Sequence, residues 1–398
     1  MNKSLLYYYF IRTVTCPLAF LPYRAIHLLG KIIGTLCYYL LTEYRKIALS
    51  NLSLAVDLNI KTEKELISTA KKSFQNLAIN ILEYPKLSRE TDFSKVITCL
   101  NPEKAQDIYK SKRGIIFFCG HQANWEVLFL DGNLRMKGTA IAKDIKNQKL
   151  NDWLVSIREK TGGRIISSKK AMKEGLYCLK KGEFLGIVGD QGMPSSNYSF
   201  PFFGRKAWNS TAPALLSYKT GCPIIVATTK REKGKYFITY SDPIWPQNDL
   251  GKDNEIKNLM DKSLEILQSS IKEEPDQWLW QHNRWKQQTP HLIRKQFRHD
   301  SICIILPEDT SKAEYIIDHL PSLKKFYTDA FTVLYIPEKF KKNTDQIKVD
   351  EIKRYRSLKE ILIKDYRVKL IFTFFDNKKI KNHYKKLSAF EIVTMNDL

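Results

Sequence analysis

The sequence predicts an α/β fold: a layered sheet flanked by helices, with apolar helices before it and a small Rossmann-like α/β domain after it. Three observations support this. Between residues 114 and 274, short apolar runs ending in glycine or polar residues alternate with stretches of helical period, the pattern of strand–helix layering. Residues 4–42 are mostly apolar and aromatic, with isolated basic residues among them. Beyond residue 300, four strand-like runs are separated by lysine-rich helical stretches, enough for a small domain of its own. The chain is thus expected to divide into segments 1–44, 45–295 and 300–398.

The first segment, SLLYYYFIRTVTCPLAFLPYRAIHLLGKIIGTLCYYLLT (4–42), is interrupted by Arg12, Arg24 and Lys31. No uninterrupted apolar run reaches the roughly 20 residues that span a bilayer. No small-residue cleavage site follows a short apolar core, so a removable signal peptide is not expected. Tyrosines and single basic residues among leucines suit a membrane interface, where they reach the headgroups; a buried helical hairpin is the plainer alternative. The formal charge of +23 calls for an anionic partner: nucleic acid, an anionic lipid surface, or an acidic or phosphorylated molecule. No RNP-like strand, zinc module or basic helix-turn-helix pattern supports nucleic acid, which is set aside. The sign fits an anionic cytoplasmic leaflet. The 7 cysteines are scattered and form no CxxC pair, which argues against a disulfide framework or zinc site and fits a reducing compartment.

In the middle segment, Leu66, Ala70, Phe74, Leu77 and Ile81 share one face of a helix over 61–83. GIIFFCG (114–120) reads as a buried strand. Leu150, Trp153, Leu154 and Ile157 define a helix over 146–160, and Met172, Leu176 and Leu179 another over 169–181. FLGIVGDQ (184–191), GCPIIVATTKR (221–231) and KYFITYSDPI (235–244) follow as strands, and 255–274 as a long helix. Ligand sites in such sheets form at the carboxyl ends of strands. Gly120–His121 and Asp190–Gln191 both lie at such ends. In the last segment, runs at 302–309, 331–337, 368–376 and 390–397 read as strands and 349–364 as a helix. It holds no GxGxxG, and no glycine lies beyond Gly251, so the phosphate-binding turn of a nucleotide site is missing.

The most informative stretch is HQANWE (121–126). Residues five apart on a helix do not share a face. His121 and Glu126 meet only if the histidine sits in the turn before a helix and the glutamate one turn inside it. Glu126 would then accept the Nδ1 proton and leave Nε2 as a general base, with helix N-terminal amides facing a developing oxyanion. Alone, the spacing is near chance, and a satisfied loop histidine explains it as well. Of the other histidines, His282 in WQHNRW sits among tryptophans that favour a packing or interfacial role. FPFFG (200–204) reads as an apolar loop able to face lipid.

GHQANWE is followed in order by TGGR (161–164), VGDQG (188–192), FPFFGRKA (200–207), TGCPIIV (220–226) and PDQWLWQHNRWK (275–286), and preceded by RKIALSNLSLA (45–55). Together these resemble the lipid A biosynthesis acyltransferase family, late lauroyl and myristoyl transferases of the lysophospholipid acyltransferase superfamily, over about residues 1–290. The sequence departs from the family pattern at Ala227, where proline is common, and at Asp276, where glutamate is usual. The resemblance implies a glycerol-phosphate-acyltransferase-like domain over 45–295. It also implies acyl transfer from acyl carrier protein to a hydroxyl of a lipid A precursor, at the cytoplasmic face of an inner membrane. His121 would be the base and Glu126 its partner. Asn124 would position the acceptor, Arg164 bind phosphate or steady the oxyanion, Asp190 and Gln191 line the acceptor site, and Arg205 add an anion contact. No cofactor motif, metal cluster or activated serine appears, and attack of a hydroxyl on a thioester requires none. Residues 301–398 loosely resemble half of a heptosyltransferase and read as a non-catalytic appendage whose removal leaves the chemistry intact. The alternatives are a lysophospholipid or other glycolipid acyltransferase, and a membrane-binding protein that keeps the fold without the activity.

Overall fold

The structure, a computed structural model, describes residues 3–247, 249, 251–288, 293–341, 344, 346–375 and 377–394. The final residues of the runs expected at 368–376 and 390–397 lie outside them. The chain forms two compact units. One joins Met1–Leu40, Lys71–Gln191 and Asn209–Leu279; the other joins Leu41–Ala70, Gly192–Trp208 and Trp280–Leu398.

In chain order the strands are β1 (Ile97–Cys99), β2 (Ile115–Cys119), β3 (Gly138–Ala142), β4 (Arg164–Ser167), β5 (Phe184–Val188), β6 (Ser199–Phe202), β7 (Arg205–Trp208), β8 (Ile224–Glu232) and β9 (Lys235–Tyr240). All but β6 and β7 belong to the first unit, in one sheet of order β1-β9-β8-β2-β5-β3-β4. Every neighbouring pair is parallel except β8 and β9, an antiparallel hairpin. Its turn residues Lys233 and Gly234 both have positive φ, 48° and 88°, which matches the twist of the two strands. The fully apolar IIFFC of β2 follows from its central place, buried along its whole length between β8 and β5. Cys119 is level with Val188, so the residues just past β2 and β5 emerge side by side. Those residues include His121 and Asp190.

The helices expected at 146–160, 169–181 and 255–274 form as Gln148–Arg158, Ala171–Lys180 and Lys252–Glu273. The Glu63–Arg89 helix differs from its expected face. Leu66, Ala70 and Phe74 are buried, but Ile81 is 57% exposed, while Ser73, Asn76, Asn80 and Glu83 are buried in its place. Hydrogen bonding accounts for the reversal: these polar groups meet backbone and side-chain partners around residues 121–126 and 277–278, so their burial leaves no lost hydrogen bonds. Before it, the Lys3–Thr15 and Tyr23–Leu40 helices form. The second turns His27, Gly30, Gly34 and Tyr38 inward. A Cβ on Gly34 would lie 2.4 Å from Gln75 Cα, so here the two helix backbones nearly touch, which only glycine permits. Its outer face exposes Leu28, Ile32, Ile33, Leu36 and Tyr39. No single described helix is long and apolar enough to cross a membrane.

The second unit holds β10 (Ser301–Ile305), β11 (Phe331–Pro337), β12 (Glu351–Tyr355), β13 (Leu370–Thr373) and β14 (Glu391–Thr394) in a parallel sheet of order β12-β11-β10-β13-β14. That doubly wound order agrees with the Rossmann-like expectation but has five strands, not four. The extra strand is β12, inside the stretch expected to be helical at 349–364; only Leu358–Ile361 is helix there. The charges of Glu351 and Lys353 resemble a helix face in sequence, yet they suit an edge strand, where they meet Arg367 and Asp365. FPFFG is not a lipid-facing loop. β6 and β7 form a hairpin whose Phe200, Phe202 and Phe203 are buried, with Phe202 and Phe203 4.8 Å apart and Phe203 6.0 Å from Trp280. This unit also contains a buried ion pair, Lys369 Nζ to Asp300 Oδ1 at 2.8 Å, with Asn283 Oδ1 at 3.0 Å from the same ammonium.

Candidate active site

Gly120 ends β2 at a crowded point. A Cβ there would lie 3.0 Å from Asp190 Oδ2 and 3.1 Å from Leu267, so glycine allows the chain to pass. The next residue, His121, is held twice by Asp190: its backbone N–H donates to Oδ2 at 2.7 Å, and Nδ1 lies 2.7 Å from Oδ1. Trp278 Nε1 donates to Oδ2 as well, at 2.7 Å. Asp190 is buried, 2% exposed, which by itself would raise its pKa. His121 and these hydrogen bonds outweigh burial and hold it at about 2. Burial lowers the His121 pKa, but the Asp190 carboxylate more than offsets that and leaves it raised above the ordinary value. A carboxylate facing Nδ1 fixes the proton there and leaves Nε2 as the basic nitrogen. Nε2 lies 3.5 Å from Gln191 Nε2, and the Trp125 ring stands edge-on with its centroid 4.7 Å from the imidazole.

The turn itself is strained and clamped. Ala123 has φ 45°, in the left-handed region that a residue with a Cβ rarely adopts. Its N–H donates to Gln277 O at 2.7 Å, its carbonyl accepts from Asn76 and Asn80, and Leu279 N–H donates to His121 O at 3.2 Å. The backbone of 277–279 and the polar face of the Glu63–Arg89 helix thus hold residues 121–123 from two sides. The amides of His121, Gln122, Ala123 and Glu126 are all engaged within this arrangement. The expected oxyanion donors at this helix N-terminus are therefore not found among these four.

The expected His121–Glu126 pairing gives way to a different one. Glu126 is the first residue of the Glu126–Arg135 helix rather than a turn inside it. Its carboxylate is buried and binds Arg158 through two bonds, Nε to Oε2 at 2.7 Å and Nη2 to Oε1 at 2.6 Å, with Tyr84 Oη donating to Oε1 at 2.7 Å. Burial alone would raise the Glu126 pKa; the Arg158 guanidinium wins and lowers it. His121 is instead oriented by a carboxylate from the neighbouring strand end, because β2 and β5 are adjacent in the sheet.

The remaining expected residues scatter. Asn124 is buried, with Nδ2 donating to Glu83 Oε2 at 2.6 Å and Oδ1 accepting from Glu126 N–H at 3.1 Å, so it builds the turn instead of meeting an acceptor. Arg164 begins β4, level with Leu185 and Ile116 through Thr139, at the amino end of the sheet. Five residues of strand, about 16 Å, separate that level from His121. It is 52% exposed and pairs with Glu174 at 3.1 Å. Arg205 belongs to the second unit, half-buried, with its guanidinium donating to Asp300 O and lying 5.6 Å from the Trp285 ring centre. Sequence reasoning missed Tyr84, Glu83, Arg158 and Trp278 as parts of the site. Only the buried polar run of the Glu63–Arg89 helix, against its apolar period, offered a signal. Among the described residues no group of three His, Cys, Asp or Glu side chains is placed to hold a metal ion.

A buried carboxylate, an imidazole and an open Nε2 at the carboxyl end of a parallel sheet can take a proton from a hydroxyl or thiol nucleophile. Residues 3–287 match the family described as bacterial lipid A biosynthesis acyltransferase. The chain is 24% identical to the lipid A biosynthesis palmitoleoyltransferase of Escherichia coli (strain K12), covering 67% of this chain and 86% of that protein. The lipid A biosynthesis acyltransferase of Shigella flexneri matches to the same extent, 24% over 278 residues. A shorter match, 31% identical over 44% of this chain and 39% of the relative, is to the ribose import ATP-binding protein RbsA of Clostridium perfringens. The sequence carries no GxxxxGK[ST] phosphate loop that such a likeness would need for nucleotide binding. The family match spans well over half of the chain, and the protein belongs to the bacterial lipid A biosynthesis acyltransferases.

Proposed function

We propose that this acyltransferase moves a fatty acyl chain from an acyl carrier protein thioester to a hydroxyl of a lipid A precursor, with His121 as general base. The observation that carries the proposal is the His121–Asp190 pair at the ends of two adjacent parallel strands. His121 Nε2 takes the hydroxyl proton as the oxygen attacks the thioester carbonyl. The tetrahedral centre then collapses, the C–S bond breaks, and the leaving thiolate recovers the proton from the imidazolium. Asp190 holds the ring and stabilises its charged form. Glu126 contributes by keeping Arg158 and Tyr84 in place beside the turn rather than by touching the imidazole.

The exposed apolar face of the Tyr23–Leu40 helix and the charge of +23 support work at an anionic membrane surface, the cytoplasmic face of an inner membrane. The sheet with its flanking helices supports a glycerol-phosphate-acyltransferase-like layout for the first unit. Purified protein incubated with acyl carrier thioester and lipid A precursor tests the reading. Transfer by the wild type and a loss on the order of 10²- to 10⁴-fold in His121→Ala is the expected result. A His121→Ala protein that transfers at the wild-type rate refutes it.

A further inference from the structure

Glu83 is a fully enclosed acid of the first unit, 0% exposed, and it takes no part in the chemistry described above. Its two oxygens receive three groups. Asn124 Nδ2 donates to Oε2 at 2.6 Å, the Tyr236 hydroxyl lies 2.8 Å from Oε1 and 2.6 Å from Oε2, and His27 Nε2 lies 2.5 Å from Oε1. The three partners come from separate places: the HQANWE turn, strand β9 and the apolar Tyr23–Leu40 helix.

The direction of these bonds is constrained. Asn124 gives its oxygen to the Glu126 N–H, so its NH2 must face Glu83, and Glu83 must be an acceptor. If the acceptor were lost, the Asn124 amide would have to turn, and the first N–H of the Glu126–Arg135 helix would lose its cap. The same turn carries the left-handed Ala123 peptide and, two residues earlier, His121. His27 reaches Glu83 because Gly30 and Gly34 bring its helix into backbone contact with Ile79 and Gln75, on the turns of the helix just before Glu83.

We propose that Glu83 is a positioning residue for acyl transfer. It sets the HQANWE turn through Asn124, and through His27 it makes the turn's geometry depend on how the apolar Tyr23–Leu40 helix is seated. The helix face opposite His27 is the exposed apolar one, so a lipid or detergent surface that seats the helix also fixes the turn. This rests on His121 being the base of the proposed reaction.

The test compares Glu83→Gln, His27→Phe and His27→Gln in the full chain in detergent micelles, by kcat and KM for transfer and by the His121 ring NMR signal at one pH, assigned by its loss in His121→Gln. Glu83→Gln keeps the shape and removes the pure acceptor; His27→Phe keeps a ring and removes the donor; His27→Gln restores an N–H. The expected result is a fall in kcat on the order of 10²-fold for Glu83→Gln, with KM within about twofold. His27→Phe should lose less, His27→Gln should recover toward wild type, and the His121 signal should shift in the first two. Folded Glu83→Gln and His27→Phe proteins with wild-type kcat and an unmoved His121 signal overturn the proposal. So does a lowered melting temperature with unchanged kcat, which would mean a purely structural role. If the wild type itself transfers no acyl chain, the acyltransferase reading fails, and the His121 signal still decides whether Glu83 positions the turn.

Discussion

His121 Nδ1 and Asp190 Oδ1 lie 2.7 Å apart although 69 residues separate them in sequence. The pair exists because β2 and β5 are neighbours with Cys119 level with Val188, so the two strand ends deliver an imidazole and a carboxylate to one point. Replacing Asp190 by Asn keeps the shape and removes the charge. The maximal rate should fall on the order of 10²- to 10⁴-fold. The raised His121 pKa has Asp190 as its cause, whereas burial acts the other way. In the wild type, activity should therefore be lost as pH falls through a value raised above that of an ordinary histidine. In Asp190→Asn, with burial opposed only by the weaker pull of the Glu126 charge, that acidic limb should move to lower pH. Rate–pH profiles of both proteins check the sign.

Arg158 neutralises a buried carboxylate with two hydrogen bonds. Arg158→Ala would strand Glu126, and chemical denaturation should show a loss of roughly 3 kcal/mol. Arg158→Met combined with Glu126→Gln should recover most of that stability, since no unpaired charge remains. A single variant as stable as wild type would show that the pair contributes little.

Arg164 sits at the opposite end of the sheet from His121 and is half exposed in its pairing with Glu174. The family resemblance gives it a substrate role; its position predicts otherwise. Arg164→Ala should keep kcat and KM within about twofold and change stability by less than about 1 kcal/mol. A KM rise for the lipid acceptor of tenfold or more would restore the substrate role.

Part of this architecture was legible in the sequence and part was not. β2, β5 and the first half of β8 showed themselves as short apolar runs, because central strands buried on both faces leave no polar alternation, whereas β9 was legible by its alternation of buried and exposed residues. His121 was legible through its place after GIIFFCG. Its partner was not: a local offset pointed to Glu126, while the carboxylate that reaches the ring comes from the next strand of the sheet, and adjacency in a parallel sheet is not encoded within either segment. Glu83, Asn76 and Asn80 were hidden for another reason. They occupy a buried helix face where apolar residues are expected, and their partners lie far off in sequence: backbone oxygens of residues 123 and 277 for the two asparagines, the Asn124, Tyr236 and His27 side chains for Glu83. β12 was misread as helix because charged residues on an edge strand and on a solvated helix look alike in one sequence.

The residues beyond 300 read as a dispensable appendage. The second unit is instead a joint product of Leu41–Ala70, Gly192–Trp208 and Trp280–Leu398. Within it, Ser50 Oγ donates to Arg367 O at 2.7 Å and Lys46 Nζ to Ala389 O at 2.7 Å, besides the buried Lys369–Asp300 pair. Lys369→Met leaves Asp300 charged and buried, and should cost about 3–5 kcal/mol in denaturation measurements. Deleting 301–398 should leave 41–70 and 192–208 sensitive to limited proteolysis. A truncated chain with wild-type protease resistance would contradict this and favour the appendage reading.

Mass spectrometry of lipid A from cells that lack this protein, complemented with wild type or with His121→Ala, tests the central claim most directly. The account predicts that the wild type restores a species heavier by one esterified acyl chain and that His121→Ala, present at the same level, does not. Restoration by His121→Ala, or no acyl addition by the wild type, would contradict it.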